Sequence, residues 1–354
     1  MSNSNLPGKL GDSSRTILND PRTDPRIVEV LKAFGNLGGD IEIPGPDATF
    51  DEHLAYCAAF EESAAQAHPI TAAAMPDYPS VDSWEEVITG VDGNEIKLYI
   101  HEPRNGSNPR RCILHSHGGG MAIMTAADPG FIRWRNDMAA AGLVVVGVEF
   151  RNAAASLGNH PFPAGLNDCA AALKWTYTNK QKLNIDKIIL SGESGGGNLA
   201  IANALKAKQE GWLDHVDGVY AMCPYISGVY DNPPADLISL QENDGYTLSC
   251  QVMVPLVRAY DPNNEFSRDP LAWPYQAGAP ELTGLPPFIV SVNELDPLRD
   301  EGLAFAQKLK AAGNSAVART VNGTQHAGDV SLPDVIPDIY QETLRSLVGF
   351  AASL

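Results

Sequence analysis

The sequence predicts an α/β fold, a mainly parallel eight-stranded sheet flanked by helices and topped by a helical cap, and three observations predict it. Short runs rich in Val, Ile and Leu alternate with helix-length amphipathic stretches from about residue 84 to the C-terminus, and that alternation requires crossover connections. Several of the runs are apolar throughout, as strands covered on both faces must be. The first 82 residues lack this rhythm and are rich in Pro, Ala and acidic side chains.

In order along the chain, residues 1–82 show helical periodicity over Arg26 to Phe34 and Thr49 to Gln66 and no convincing strand, which makes them an N-terminal cap segment ahead of a domain spanning 83–354. Two alternating runs, Glu86 to Gly90 and Glu95 to His101, flank Val91-Asp92-Gly93-Asn94 and predict a hairpin. The further strands are expected over Arg111 to His115, Leu143 to Glu149, Lys187 to Leu190, Gly218 to Met222, Pro287 to Val292 and Ala316 to Val321. Helices are expected over Phe131 to Ala141, Gly165 to Asn179, Gly195 to Glu210, Asp300 to Ala312 and Pro337 to Ala352. From about 227 to 274, Asn, Asp, Pro and aromatic residues interrupt the pattern, which reads as an insertion completing the cap. Its aromatics, Tyr225, Tyr230, Tyr246, Tyr260 and Trp273, either shape a pocket or pack the insertion.

A formal charge of −18 on 354 residues, 44% of them hydrophobic and 19% charged, excludes wholesale disorder. It also disfavours nucleic acid or an anionic membrane as partner, and leaves a small molecule as the expected ligand. Five cysteines with no close pair fit neither a disulfide framework nor a zinc site and read as buried free thiols. The N-terminal stretch has no apolar signal core and no run reaches 18 apolar residues, so a cytoplasmic protein without a membrane span is expected.

The most informative segment is Lys187-Ile188-Ile189-Leu190-Ser191-Gly192-Glu193-Ser194-Gly195-Gly196-Gly197, a G-x-S-x-G run between an apolar strand and a helix. A serine at so sharp a turn sits in strained dihedrals, so its neighbours must lack side chains that would collide. The new helix turns its free N–H groups and positive end toward a substrate carbonyl oxygen. Ser194 is therefore the expected nucleophile.

Upstream, His117-Gly118-Gly119-Gly120 follows a strand and has the composition of a loop that brings backbone N–H groups close to a reacting carbon. The amides of Gly119, Gly120 and Gly195 are the expected oxyanion donors. His117 and Gly118 support the loop, and His115 reads as a core histidine.

A hydroxyl needs a base, and the base needs an orienting partner. Of the two histidines after Ser194, His215 precedes a strand, whereas His326 follows the last one in the loop Asn322 to Gly328, so His326 is the expected base. The expected acid is Asp296, at the carboxyl end of a strand where catalytic side chains gather, with Glu294 as a rival. Asp300 and Glu301 fall in the first turn of the next helix and read as capping residues.

Together HGGG, GESGG, DPLRDEG and a late histidine make the chain resemble the bacterial hormone-sensitive-lipase-like esterases of the α/β-hydrolase superfamily, from about residue 84 to the end. A narrower likeness to the brefeldin-type branch runs through Val91 to Ile96, Gly192 to Asn198, Glu242-Asn243-Asp244-Gly245-Tyr246 and Asn293 to Gly302, and extends to Asp20-Pro21-Arg22-Thr23-Asp24-Pro25-Arg26. The resemblance implies a helical cap over the site, the triad Ser194, Asp296 and His326, no cofactor or metal, a possible homodimer, and hydrolysis of short-chain or bulky esters through an acyl-enzyme. Two features depart from the commoner family pattern: GESGG replaces GDSAG, and Glu149-Phe150-Arg151-Asn152 opens the run leading to His160-Pro161-Phe162-Pro163. Both border the pocket and leave substrate choice open. The same machinery also suits amides or lactones, and a receptor that kept the pocket would be the reading from outside the enzymes.

Overall fold

The computed structural model describes residues 6–34, 41–45, 47–105 and 109–354. Residues 1–5 of the N-terminal stretch expected to lack a signal core, and residues 35–40 and 46 of the cap segment, lie outside the described residues. Eight strands, β1 (Val81–Thr89), β2 (Glu95–Pro103), β3 (Arg110–Ser116), β4 (Val144–Glu149), β5 (Ile185–Glu193), β6 (Gly218–Met222), β7 (Phe288–Asn293) and β8 (Ala316–Val321), form one sheet in the order β1-β2-β4-β3-β5-β6-β7-β8. The β1/β2 and β2/β4 pairs are antiparallel and every later pair is parallel.

Strands continuously apolar in sequence are buried on both faces. Ile188 and Leu190 of β5 enter one core cluster with Leu199 and Phe305, whereas Ile189 between them enters the other with Trp134 and Leu347. The period of two thus hands alternate residues of one strand to the helices on opposite sides. Helices Ala164–Thr178, Gly195–Glu210 and Arg299–Ala311 cover the first face, and Pro129–Ala140 and Pro337–Ala352 cover the second. Strand β1 begins at Val81, five residues ahead of the expected start, because only alternate residues of this edge strand turn inward and its polar, half-exposed beginning carries no apolar run.

Two helical segments lie near the loop that follows β3. Helix Phe50–Ala65 starts at a capping box in which Thr49 Oγ1 accepts from Glu52 N at 3.3 Å and Glu52 Oε2 accepts from Thr49 N at 2.6 Å. It packs against helix Cys250–Tyr260, whose Leu256 sits over Gly120. Its Glu61 accepts the N–H groups of Met124 at 2.5 Å and Ser156 at 3.0 Å, tying this helix to the loop after β3. The aromatics of the insertion are buried and pack on one another: Tyr225 stacks on Tyr230 at 4.8 Å, and Trp273 meets Tyr225 and Tyr260 edge-on. Tyr246, also buried, packs apart from these with Ile17 and Leu295.

Among the described residues no helix is long and apolar enough to cross a membrane. All five cysteines are free, four of them buried and Cys250 partly exposed, against the expectation of five buried thiols.

The contact that aligns the sheet with the site is the approach of helix Gly195–Glu210 to the end of β3. A Cβ on Gly196 would stand 1.9 Å from Ser116 O and 2.7 Å from His117 O, so only glycine allows this approach. Gly196→Ala is expected to cost about 3 kcal/mol of stability, read as a lowered denaturation midpoint at unchanged slope, whereas an unaltered midpoint would mean that the two backbones can part without loss.

Candidate functional site

Strand β5 ends at Glu193, and Ser194 makes the turn into the helix with φ 56° and ψ −118°. That region is unfavourable for a side-chain-bearing residue by about 1–3 kcal/mol. The surrounding bonds hold it: Ser194 N donates to Met222 O at 3.0 Å, and Ser194 O accepts from Asn198 N at 3.0 Å and Tyr225 N at 3.1 Å. Asn198 Nδ2 adds bonds to Tyr225 O at 2.9 Å and Ala272 O at 3.0 Å, fastening both ends of the insertion to the first turn of the helix.

The glycine loop lies flush with this turn. A Cβ on Gly195 would come within 2.7 Å of Gly120 N and 2.6 Å of Met121 N, and one on Gly118 would come within 3.7 Å of Ser194 Cβ. Gly119 O accepts from Ala122 N at 3.0 Å and Ile123 N at 3.1 Å. Among the described residues no protein acceptor takes the N–H of Gly119, Gly120 or Gly195. The glycine loop and the start of the helix are therefore in close contact beside Ser194, with these three amides unengaged among the described residues.

Glu193 explains the unusual GESGG. Its side chain is buried; Oε1 accepts Gly118 N at 2.9 Å and Oε2 lies 3.0 Å from His115 Nε2. Burial works against its charge, but His115 and the Gly118 amide outweigh this and hold the carboxyl below the usual glutamate range. The extra methylene relative to aspartate spans the gap from the elbow to the loop after β3. His117 is buried, stacks on Phe150 at 4.2 Å and places Nδ1 2.8 Å from Gly118 O. Burial pushes its pKa down to about 3, so it stays neutral and braces the loop.

Asp296 and His326 come together from the carboxyl ends of β7 and β8. His326 Nδ1 lies 2.7 Å from Asp296 Oδ2, while Asp296 Oδ1 accepts Leu298 N at 2.9 Å. The two loops are laced to one another: Leu295 N donates to Thr324 O at 3.0 Å, Asn293 Nδ2 donates to Thr324 Oγ1 at 2.8 Å, and Gly323 N donates to Glu294 Oε2 at 2.8 Å. Glu294, the rival acid, is committed to that brace. Burial favours neutral His326, but Asp296 and then Cys223 beside it prevail, and the imidazole pKa is raised well above the ordinary histidine value.

Cys223 escaped the sequence reading. It directly follows β6, is buried, takes the unusual φ of 33°, and hydrogen-bonds through its N to Ser291 O at 2.7 Å. Cys223, Asp296 and His326 offer one donor atom each within 4.8 Å of one another, which is the grouping among the described residues that could hold a metal ion. Both carboxylate oxygens of Asp296 already accept bonds, from His326 Nδ1 and Leu298 N, so the set is better suited to orienting an imidazole. Ser194 N binds the residue just before Cys223, so the elbow and the His326 site share one anchor at the end of β6. A Cys-Pro pair at the carboxyl end of a parallel strand was the available signal.

Asp300 and Glu301 correct an expectation. Neither caps its own helix: Asp300 accepts Ser239 N at 2.8 Å, and Glu301 accepts Ile226 N at 2.7 Å, Ser227 Oγ at 2.6 Å and Tyr230 OH at 2.9 Å. Both tie the insertion to the helix after Asp296. Burial pushes the Glu301 carboxyl up to about 7 against those bonds.

Comparison with known proteins agrees with this geometry. Residues 113–328 match the model of a family described by its α/β-hydrolase fold. The structure of brefeldin A esterase, a bacterial homologue of human hormone-sensitive lipase, superposes with a TM-score of 0.92 at 44% identity, covering 98% of each chain. Esterase Est22 superposes with a TM-score of 0.85 at 35% identity, over 96% of this chain and 99% of that one. Carboxylesterase NlhH of Mycobacterium tuberculosis is 31% identical over 277 residues, 76% of this chain and 82% of the relative. With strand order, elbow and family model in agreement, the chain belongs to the α/β-hydrolase family, among the bacterial homologues of hormone-sensitive lipase.

Proposed function

We propose that the protein is a serine carboxylesterase, with Ser194 as nucleophile, His326 as base and Asp296 as the orienting acid. The observation that carries this reading is the 2.7 Å contact of His326 Nδ1 with Asp296 Oδ2, at the sheet edge where Ser194 occupies a strained turn. With Nδ1 engaged by the carboxylate, Nε2 is the nitrogen left to take a proton. The relatives named as carboxylesterases and esterases support ester hydrolysis.

In the proposed reaction Ser194 Oγ attacks the ester carbonyl carbon as its proton passes to His326. The carbonyl oxygen becomes an oxyanion held by the N–H groups of Gly119, Gly120 and Gly195, each worth ~3 kcal/mol to the transition state. Collapse of the tetrahedral species expels the alcohol, which takes the proton from His326 and leaves Ser194 acylated. Water then attacks the acyl carbon, gives its proton to His326, and the second collapse frees the acid and returns the proton to Ser194. Asp296 keeps the imidazole in one tautomer and offsets its positive charge in both halves. Helix Phe50–Ala65 and the insertion around Cys250–Tyr260 form the cap over this site, with Leu256 above Gly120 as the nearest apolar wall. The proposed substrate class is short-chain or bulky carboxylic esters.

Turnover of p-nitrophenyl acetate is expected to fall about 10⁴-fold or more in Ser194→Ala, and equal rates for the two proteins would remove Ser194 from the mechanism. In the wild type, kcat/KM should rise with pH as His326 loses its proton. Because the net effect of Asp296 and Cys223 is to raise that pKa, the midpoint should lie above pH ~6.5, the ordinary histidine value. A profile flat from pH ~5 to ~9 with chemistry rate-limiting would contradict His326 as base.

A further inference from the structure

Two sequence motifs, Asp20 to Arg26 and Glu242 to Tyr246, have no place in the chemistry so far, yet the fold brings them together behind the loop that carries Asp296. Arg22 grips Asp20 as a fork, Nε to Oδ1 at 3.0 Å and Nη2 to Oδ2 at 2.8 Å. It also pairs with Glu242 and donates from Nη2 to Asn243 Oδ1 at 3.1 Å. Tyr246 OH closes the set on Asp20 Oδ2 at 2.9 Å. Glu242 is held on its far side by Arg299, Nη1 to Oε1 and Nη2 to Oε2, both at 2.9 Å.

The chain of bonds ends on the backbone of the acid loop. Asn243 Nδ2 donates to Glu294 O at 3.1 Å and to Asp296 O at 3.2 Å. The same N-terminal segment reaches the base loop, where Asp24 N donates to Gly323 O at 3.0 Å. Asp20, Glu242 and Asn243 are buried, so water cannot replace a lost partner, and Arg22 is the cation common to both carboxylates.

We infer that Arg22 is a positioning residue for the acid–base pair: it holds Glu242 and Asn243 so that the Asn243 amide fixes the peptide of Asp296 opposite His326. The inference rests on the roles proposed for Asp296 and His326. It makes the N-terminal segment part of the catalytic geometry, since misplacing a catalytic group by about 1 Å can cost about a hundredfold in rate. His326 is faced by Asp296 from the loop after β7 and by Cys223 from the end of β6. Loosening Arg22 weakens only the first, so the imidazole should lose its proton at lower pH.

The test compares full-length wild type, Arg22→Ala, Arg22→Lys, Asn243→Ala and Asp296→Asn with p-nitrophenyl acetate, well below each melting temperature. Arg22→Ala and Asn243→Ala should lower kcat roughly ten- to a hundredfold, leave KM within about twofold, and move the kcat/KM midpoint to lower pH. Arg22→Lys should recover part of the rate, because one ammonium replaces part of a fork. If Arg22→Ala does not fold, Arg22→Lys and Asn243→Ala carry the same readouts. A lowered melting temperature with wild-type kcat and wild-type midpoint would reduce the network to a structural brace and overturn the inference. Full activity in Asp296→Asn would overturn the acid–base reading itself, which is a different result from an active Arg22 variant beside an inactive Asp296→Asn.

Discussion

The 2.7 Å bond from His326 Nδ1 to Asp296 Oδ2 is the constraint on which the rest of the structure depends. Without it the imidazole would be free to take either tautomer, and in the proposed mechanism the wrong one would cost about 10⁴-fold. Holding it requires two loops, from the ends of β7 and β8, to keep a fixed separation. Parallel pairing supplies most of that: Asn293 stands opposite Val321 in the register of the two strands, so the loops start level. The crosslinks from Leu295 to Thr324 and from Gly323 to Glu294 then fix them side by side.

Ser194 is held by a different economy of space. Helix Gly195–Glu210 can begin at Ser194 only because its first residues lack side chains where they meet the end of β3 and the glycine loop. The same closeness brings the first turn of the helix against the backbone of Gly120 and Met121, and among the described residues no protein acceptor takes the N–H of Gly119, Gly120 or Gly195. Glu193 and His117 hold the loop at Gly118, one through its N–H and the other at its carbonyl oxygen. Fold and site are therefore one construction, in which the sheet edge sets the positions and the glycines permit the approach.

Much of this was legible in the sequence. Strands β6 and β8 and helices Gly195–Glu210 and Pro337–Ala352 end where the apolar pattern ends, because both faces of the sheet are covered and every inward residue is marked. Asp296 and His326 could be singled out because each lies in a loop that follows a strand, and the structure does bring these two side chains together. The start of β1 was not, since an edge strand with one wet face dilutes the pattern. Glu193 could be seen to depart from the common elbow, but its partner His115 lies 78 residues away and no local rule links them. Cys223 beside His326 and Arg22 beside Glu242 were illegible for the same reason, as both depend on which segments meet in space. Asp300 and Glu301 were misread because a carboxylate in a first helical turn usually serves that helix, whereas here the insertion supplies better donors.

The proposed mechanism requires that the hydroxyl of Ser194, and not the thiol of Cys223, react with an electrophilic ester. Treatment with a p-nitrophenyl phosphonate ester followed by peptide mapping in a mass spectrometer tests it directly. One phosphonyl group per chain is expected on the peptide containing Ser194, with no label on Cys223 and none in Ser194→Ala. Label on Cys223, or stoichiometric label retained by Ser194→Ala, would contradict it.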